Sequence, residues 1–124
     1  MRLLLDTHIV LWQLSAEREL SAPAREAIAA ADDLLFSVVS FAEVGVKAAV
    51  GKLEFPEDLQ PRIAESGIRT LGLSPDHGLA VSRLPLHHRD PFDRLIIAQA
   101  LIERLTVVTA DTRFRAYGIE LLEA

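Results

Sequence analysis

The chain has 124 residues, half of them hydrophobic, and its 13 basic and 18 acidic side chains give a formal net charge of −5. This length predicts one domain, residues 1–124, with a core of ordinary size. The absence of cysteine excludes disulfides, thiolate metal sites and cysteine nucleophiles, and it is typical of a reducing cytoplasm. The negative charge disfavours general nucleic-acid binding, although 11 of the 13 basic residues are Arg, the side chain better suited to phosphate.

The mean hydropathy of +0.24 is high for a small protein and predicts that a partner covers some apolar surface. The longest apolar runs, such as residues 95–98, are too short to span a membrane. The first residues lack the charged, apolar and small-residue order of a signal peptide. We therefore expect a cytoplasmic protein with no membrane association.

The first dozen residues organise the chain. Residues 3–5 are three leucines without a turn residue, which predicts a strand buried on both faces, as in a parallel sheet. Asp6 follows this strand, at the position where open α/β sheets place their ligands. Asp6 could instead be the N-cap of the helix predicted over residues 7–14.

The remaining elements alternate between helices and strands. Ser21 and Pro23 begin a helix that ends at residue 31, and Ser40 with Glu43 forms a predicted capping box for a helix over residues 41–50. Further helices are predicted over residues 57–66, 76–84 and 92–104, and further strands over residues 34–37, 68–73, 106–109 and 119–122, the last at an edge. This alternation predicts a three-layer α/β/α sandwich around a central, mostly parallel sheet.

Four acidic residues lie where strands end or helices begin: Asp6, Glu43, Asp93 and Asp111. The carboxyl ends of parallel strands point one way, so Asp6, Glu43 and Asp111 should share one rim of the sheet. Asp93 joins them if its helix begins at that rim. Each could instead be a helix-start residue that the macrodipole favours. Grouped carboxylates repel one another, and Mg²⁺ or Mn²⁺ would relieve this, which suits hydrolysis of a phosphodiester.

Four segments resemble the motifs of the PIN domain in order and spacing. They are Leu4-Leu5-Asp6-Thr7-His8, Ser40-Phe41-Ala42-Glu43, Asp90-Pro-Phe-Asp93-Arg-Leu-Ile-Ile-Ala98 and Thr109-Ala110-Asp111. The likeness extends over nearly the whole chain and is greatest to PIN-domain toxins of the VapC type. The resemblance implies a PIN-like fold and a metal-dependent endoribonuclease in which a Mg²⁺-activated water attacks an RNA phosphate. It also implies a homodimer and a cognate antitoxin protein.

Carried over residue by residue, the resemblance assigns the metal-binding and catalytic carboxylates to Asp6, Glu43, Asp93 and Asp111. Asp90 is an extra aspartate three residues before Asp93, and it departs from the family pattern. Because Asp90 is close to Asp93, it is the alternate third ligand. It could instead be the N-cap before Pro91, which is the interpretation that we favour.

Other polar residues are candidates for substrate contacts. Thr7 and Thr109 could orient ligands or waters, or could simply pack at strand ends. Arg89 and Arg94 flank the third acidic motif and are the predicted phosphate contacts, although Arg94 could pair with Asp90 at i−4. His87 and His88 form either a patch that faces nucleic acid or a solvated loop, and Trp12 is predicted in the core rather than in a dimer interface.

Two alternatives compete with the nuclease. A phosphoacceptor signalling domain needs an acidic pair after the first strand and a late Lys, and the chain has neither because its two Lys are residues 47 and 52. A PIN-like scaffold without catalysis would lack one of the acidic ligands, whereas all four matching positions are acidic.

Overall fold

A computed structural model describes residues 1–124, and its strands form one five-stranded sheet. The strands are β1 Arg2–Leu5, β2 Asp33–Ser37, β3 Ile68–Leu71, β4 Thr106–Thr109 and β5 Leu121–Glu123. Their order is β3-β2-β1-β4-β5, and every neighbouring pair is parallel. The structure confirms the predicted α/β class, with a sheet that is entirely parallel.

Six α-helices and two 3₁₀ helices connect and follow the strands. The α-helices are α1 Thr7–Ser15, α2 Ala22–Ala30, α3 Val38–Ala49, α4 Leu59–Glu65, α5 Pro75–Ala80 and α6 Pro91–Glu103. The 3₁₀ helices are Val81–Arg83 and Thr112–Tyr117. None of these helices combines the length and apolar character that crossing a bilayer requires.

Hydrophobic cores lie on both faces of the sheet. Leu3 and Leu5 pack into one core with residues of α1, α2 and α4, and Leu4 packs into the other with residues of α6. All three leucines are fully buried, as expected for a central strand covered on both sides. Each contributes about 1.5–3 kcal/mol by burial, so β1 anchors the three-layer arrangement.

The prediction that Ser40 begins the third helix is wrong. The helix α3 begins at Val38, and Ser37 is its N-cap because the Ser37 hydroxyl accepts a hydrogen bond from the Val39 amide at 3.0 Å. The predicted strand ends at Ser37 as β2 does, but Val38 and Val39, β-branched residues that favour helices only weakly, form the first turn of α3 instead of a connection before it. Glu43 therefore lies in the second turn of α3, and the proposed capping box does not form.

The path of the chain leaves a crevice beside β1. After β1 the chain moves outward through β2 to β3, and it then returns to place β4 on the other side of β1. The carboxyl ends of β1 and β4 are therefore the point where the strand order reverses. Open α/β sheets bind ligands in the crevice outside such a point.

Candidate active site

A cleft of about 280 Å³ opens at this crevice. It is lined by residues that follow β1 and β4 and by residues of α1, α3, the loop after α1 and the start of α6: Asp6, His8, Trp12, Arg18, Glu43, Lys47, Asp90, Asp93, Ala110, Asp111 and Arg113. Five of these side chains are acidic and three are Lys or Arg. The structure thus brings all four predicted carboxylates, and Asp90 with them, to one cleft.

Asp6 is fixed by two hydrogen bonds at the end of β1. The Thr7 amide donates to Oδ1 at 2.8 Å, and the Thr109 hydroxyl donates to Oδ2 at 2.8 Å. Asp6 is the N-cap of α1, as one interpretation of the sequence has it, and it also lines the cleft, while its role as a cation ligand stays a prediction. Burial raises the pKa of Asp6 despite these hydrogen bonds.

Glu43 is held from both sides. The Thr7 hydroxyl donates to its Oε1 at 2.6 Å, and the Lys47 ammonium donates to its Oε2 at 2.5 Å. The Thr7 and Ser40 hydroxyl oxygens are 2.8 Å apart. The single hydroxyl proton of Thr7 is donated to Glu43, so the Ser40 hydroxyl must donate its proton to the Thr7 oxygen. Thr7 and Thr109 therefore orient acidic side chains of the cleft.

Asp90 and Asp93 both lie at the start of α6. Asp90 is the N-cap, and its Oδ1 accepts hydrogen bonds from the amides of Phe92 at 2.9 Å and Asp93 at 3.1 Å. One carboxylate oxygen each from Glu43, Asp90 and Asp93 lie within 4.8 Å of one another. The predicted cap is confirmed, and Asp90 remains close enough to share a cation with Asp93.

The negative charge of Asp93 is the least favourable of the carboxylate charges in the cleft. Its burial and the neighbouring carboxylates of Asp6, Asp90, Glu43 and Asp111 raise its pKa to about 8. Only 6% of the residue is exposed, so water screens this repulsion poorly. Burial and the neighbouring carboxylates therefore favour the protonated form of Asp93 in the metal-free protein, and a bound cation would displace that proton.

Asp111 is paired with Arg113. The Arg113 guanidinium donates to Asp111 from Nε at 3.0 and 3.1 Å and from Nη2 at 2.6 Å, which holds the pKa of Asp111 below its usual range. The same Nη2 lies 3.4 Å from Asp93 Oδ2. Arg113 is more than half exposed, so it is free to exchange these carboxylates for another anion.

The two predicted phosphate contacts have different positions. Arg89 is exposed on the loop that leads into α6. Arg94 is 8% exposed, and its guanidinium donates to the carbonyls of Pro85, Val81 and Leu84 and to the Tyr117 hydroxyl. Arg94 thus ties the preceding loop to α6, and the prediction that it contacts phosphate or pairs with Asp90 is wrong.

Several site residues were not predicted from the sequence. Lys47 had a detectable signal, since it lies four residues after Glu43 on one helix face. Arg113 had no signal that connects it with Asp93, from which it is 20 residues away. His88 was predicted only in a patch that faces nucleic acid or in a solvated loop, and not as a contact of Asp93 five residues later. Trp12 is half-buried at the rim of the core, so it is not the fully buried core residue that the sequence predicted. Its ring centroid lies 4.4 Å from the Arg18 guanidinium, and both residues line the cleft.

The donor set fits a hard divalent cation. Carboxylate oxygens are the ligands that Mg²⁺ and Mn²⁺ prefer, and Glu43, Asp90 and Asp93 offer three within reach of one ion. Asp6 and Asp111 border the same cleft. Lys47 and Arg113 supply positive charge to this group when no metal is bound.

The fold and this acidic cleft define a class of protein. Residues 3–120 match the PIN domain model, and the chain belongs to the PIN-domain family. This confirms the resemblance drawn from the four sequence motifs.

Comparison with individual proteins shows which members of the family the chain is similar to. The chain is 30% identical to Ribonuclease VapC22 of Mycobacterium tuberculosis over 122 residues, which are 92% of this chain and 90% of that protein. In fold it is similar to VapBC2 from Rickettsia felis bound to a promoter DNA fragment (TM-score 0.75, 21% identity, 99% and 98% of the two chains covered). It is also similar to DNA-bound VapBC from Salmonella typhimurium (TM-score 0.72, 18% identity, 99% and 98% covered).

Proposed function

We propose that this protein is a metal-dependent endoribonuclease and the toxin of a toxin–antitoxin pair. The observation that carries the proposal is the convergence of five carboxylates, from the segments after β1 and β4, from α3 and from the start of α6, on one cleft of a PIN fold. The similarity to Ribonuclease VapC22 supports RNA as the substrate class.

In this proposal, Glu43 and Asp93 hold the cation together with Asp6 and Asp111, and Asp90 serves first as the helix cap. When bound, Mg²⁺ or Mn²⁺ lowers the pKa of water and neutralises phosphate oxygens. Thr7 and Thr109 keep Glu43 and Asp6 in fixed orientations, which removes the entropic cost of arranging them during each reaction.

Positive side chains around the cleft bind the RNA backbone. Arg113 and Lys47 lie beside the carboxylates, and Arg18 is fixed at the opening by stacking on Trp12. Arg89 is exposed next to the start of α6. These residues offset the local negative charge that would otherwise repel a phosphodiester.

The similar structures also support the proposed protein partner, an antitoxin. The similar structures are described as VapBC and other toxin–antitoxin complexes, which supports a cognate antitoxin for this chain. A homodimer and a cytoplasmic location, where the RNA substrate would be found, complete the proposal.

Incubation of the purified, antitoxin-free protein with total tRNA and ribosomal RNA tests the activity. We expect cleavage with Mg²⁺ or Mn²⁺ and none with EDTA. Asp6→Asn and Asp93→Asn should both abolish cleavage, because each removes a charge from the cation site while keeping the size of the side chain.

Glu57→Gln is the control variant. It changes an exposed carboxylate outside the cleft, and the variant should cleave RNA normally. Cleavage that persists in EDTA or in both cleft variants would contradict the proposal. Metal binding without cleavage of any RNA would favour a PIN-like scaffold that has lost catalysis.

A further inference from the structure

His88 lies directly behind Asp93 in the structure. Its side chain is 8% exposed, its Nε2 is 3.2 Å from Asp93 Oδ2, and its Nδ1 is 2.8 Å from the Tyr117 hydroxyl. The Tyr117 hydroxyl in turn accepts from Arg94 Nη1 at 3.1 Å. A continuous chain of hydrogen bonds thus connects a buried guanidinium to a carboxylate of the cleft.

The donors around Tyr117 determine where its proton points. Arg94 Nη1 and the His88 amide, at 3.3 Å, can only donate, so they occupy the acceptor capacity of the hydroxyl oxygen. If His88 Nδ1 also carried a proton, three donors would point at one oxygen. The Tyr117 proton therefore goes to Nδ1 at 2.8 Å rather than to the more distant His88 carbonyl at 3.5 Å.

This arrangement leaves one form of the imidazole. With Nδ1 accepting from Tyr117, the ring proton of neutral His88 is on Nε2, which then donates to Asp93 Oδ2. Arg113 also approaches Oδ2, at 3.4 Å. Asp93 Oδ1 accepts no hydrogen bond, and because no fully buried side-chain oxygen lacks a partner, Oδ1 is open to the cleft.

We propose that His88 is a positioning residue for Asp93: its Nε2–H, fixed by Tyr117, holds Oδ2 and leaves Oδ1 for the divalent cation. The inference rests on the proposed metal-dependent nuclease site. Hydrogen-bonded partners of this kind orient metal-binding side chains, and their loss weakens metal affinity by about 10–100-fold.

The tautomer can be measured in the metal-free protein, independently of activity. In ¹⁵N-labelled, EDTA-treated full-length chain, long-range ¹H–¹⁵N spectra show which ring nitrogen of each of the four histidines carries the proton. We expect the His88 proton on Nε2. A proton on Nδ1 would overturn the proposed hydrogen-bond chain.

Two substitutions then separate positioning from packing. The His88→Gln amide reaches the place of Nε2 and can still donate to Asp93, whereas the His88→Asn amide reaches only the place of Nδ1. In Mn²⁺ titrations we expect His88→Gln to stay within about threefold of wild type and His88→Asn to bind about 10–100-fold more weakly. Equal affinities of the two variants would overturn the proposal.

Controls distinguish this inference from the wider proposal. His87→Asn changes the adjacent loop residue, whose ring packs on Tyr117 with centroids 4.9 Å apart but makes no hydrogen bond, and it should bind Mn²⁺ like wild type. Circular dichroism verifies that each variant is folded. Wild-type protein that binds no Mn²⁺ overturns the metal site and with it the positioning role, whereas the tautomer still tests the hydrogen-bond chain.

Discussion

At the scale of single residues, the two aspartates of α6 have different roles. Asp90 uses one oxygen to cap the helix, whereas Asp93 has no capping role and is surrounded by other carboxylates. Removing the charge from each should therefore have different consequences.

Loss of a residue that only orients a metal ligand lowers activity by up to about 100-fold. Asp93→Asn should reduce metal-dependent cleavage by more than this, because it removes a proposed direct ligand. Asp90→Asn should have a smaller effect, since Asn caps helices as well as Asp does. Cleavage rates and thermal unfolding of both variants measure this. A larger loss in Asp90→Asn would move the third ligand to Asp90.

The raised pKa of Asp93 makes the stability of the metal-free protein depend on pH. The unfolded chain loses this proton near the ordinary pKa of 3.8, whereas the folded chain keeps it up to about 8. The stabilising contribution is therefore fully present below pH 3.8 and is lost as the pH rises towards 8. Asp6, whose pKa is also raised, acts in the same direction.

We therefore expect EDTA-treated protein to have a lower Tm at pH 8 than at pH 6, with a smaller fall in Asp93→Asn. Added Mg²⁺ should restore the Tm at pH 8, because the cation replaces the lost proton. Thermal unfolding at both pH values measures this. An equal fall in wild type and Asp93→Asn would assign the effect to other groups.

At the scale of elements, two serines near the start of α3 perform separate tasks. Ser37 caps the helix and donates to the Gln99 side chain at 2.5 Å, whereas Ser40 supports Thr7, which holds Glu43. One serine therefore serves folding and the other serves the cleft.

Ser37→Ala should lower the free energy of unfolding by about 1–2 kcal/mol through the lost cap and the lost buried hydrogen bond, with unchanged Mn²⁺ affinity. Ser40→Ala should weaken Mn²⁺ binding more than Ser37→Ala does, because the Thr7 hydroxyl loses its donor. Urea unfolding and Mn²⁺ titration of the pair measure this. Weaker binding in Ser37→Ala than in Ser40→Ala would reverse the assignment.

At the scale of the molecule, the strands and the four carboxylates could be predicted because local patterns determine them. Leucine runs mark buried strands, and the carboxyl ends of parallel strands meet at one edge. The buried position of Arg94 and the contacts of His88 and Arg113 could not be predicted. They depend on how the preceding loop and the segment after β4 fold back onto the start of α6, which no local spacing records.

In the proposed function, carboxylates from separate elements form one cation site. The most direct measurement is a Mn²⁺ titration of EDTA-treated wild type beside Asp6→Asn, Glu43→Gln and Asp93→Asn. We expect the wild type to bind Mn²⁺ and release protons, and each substitution to weaken binding by about tenfold or more. No binding by folded wild type, or affinity that depends on none of the three carboxylates, would contradict the claim.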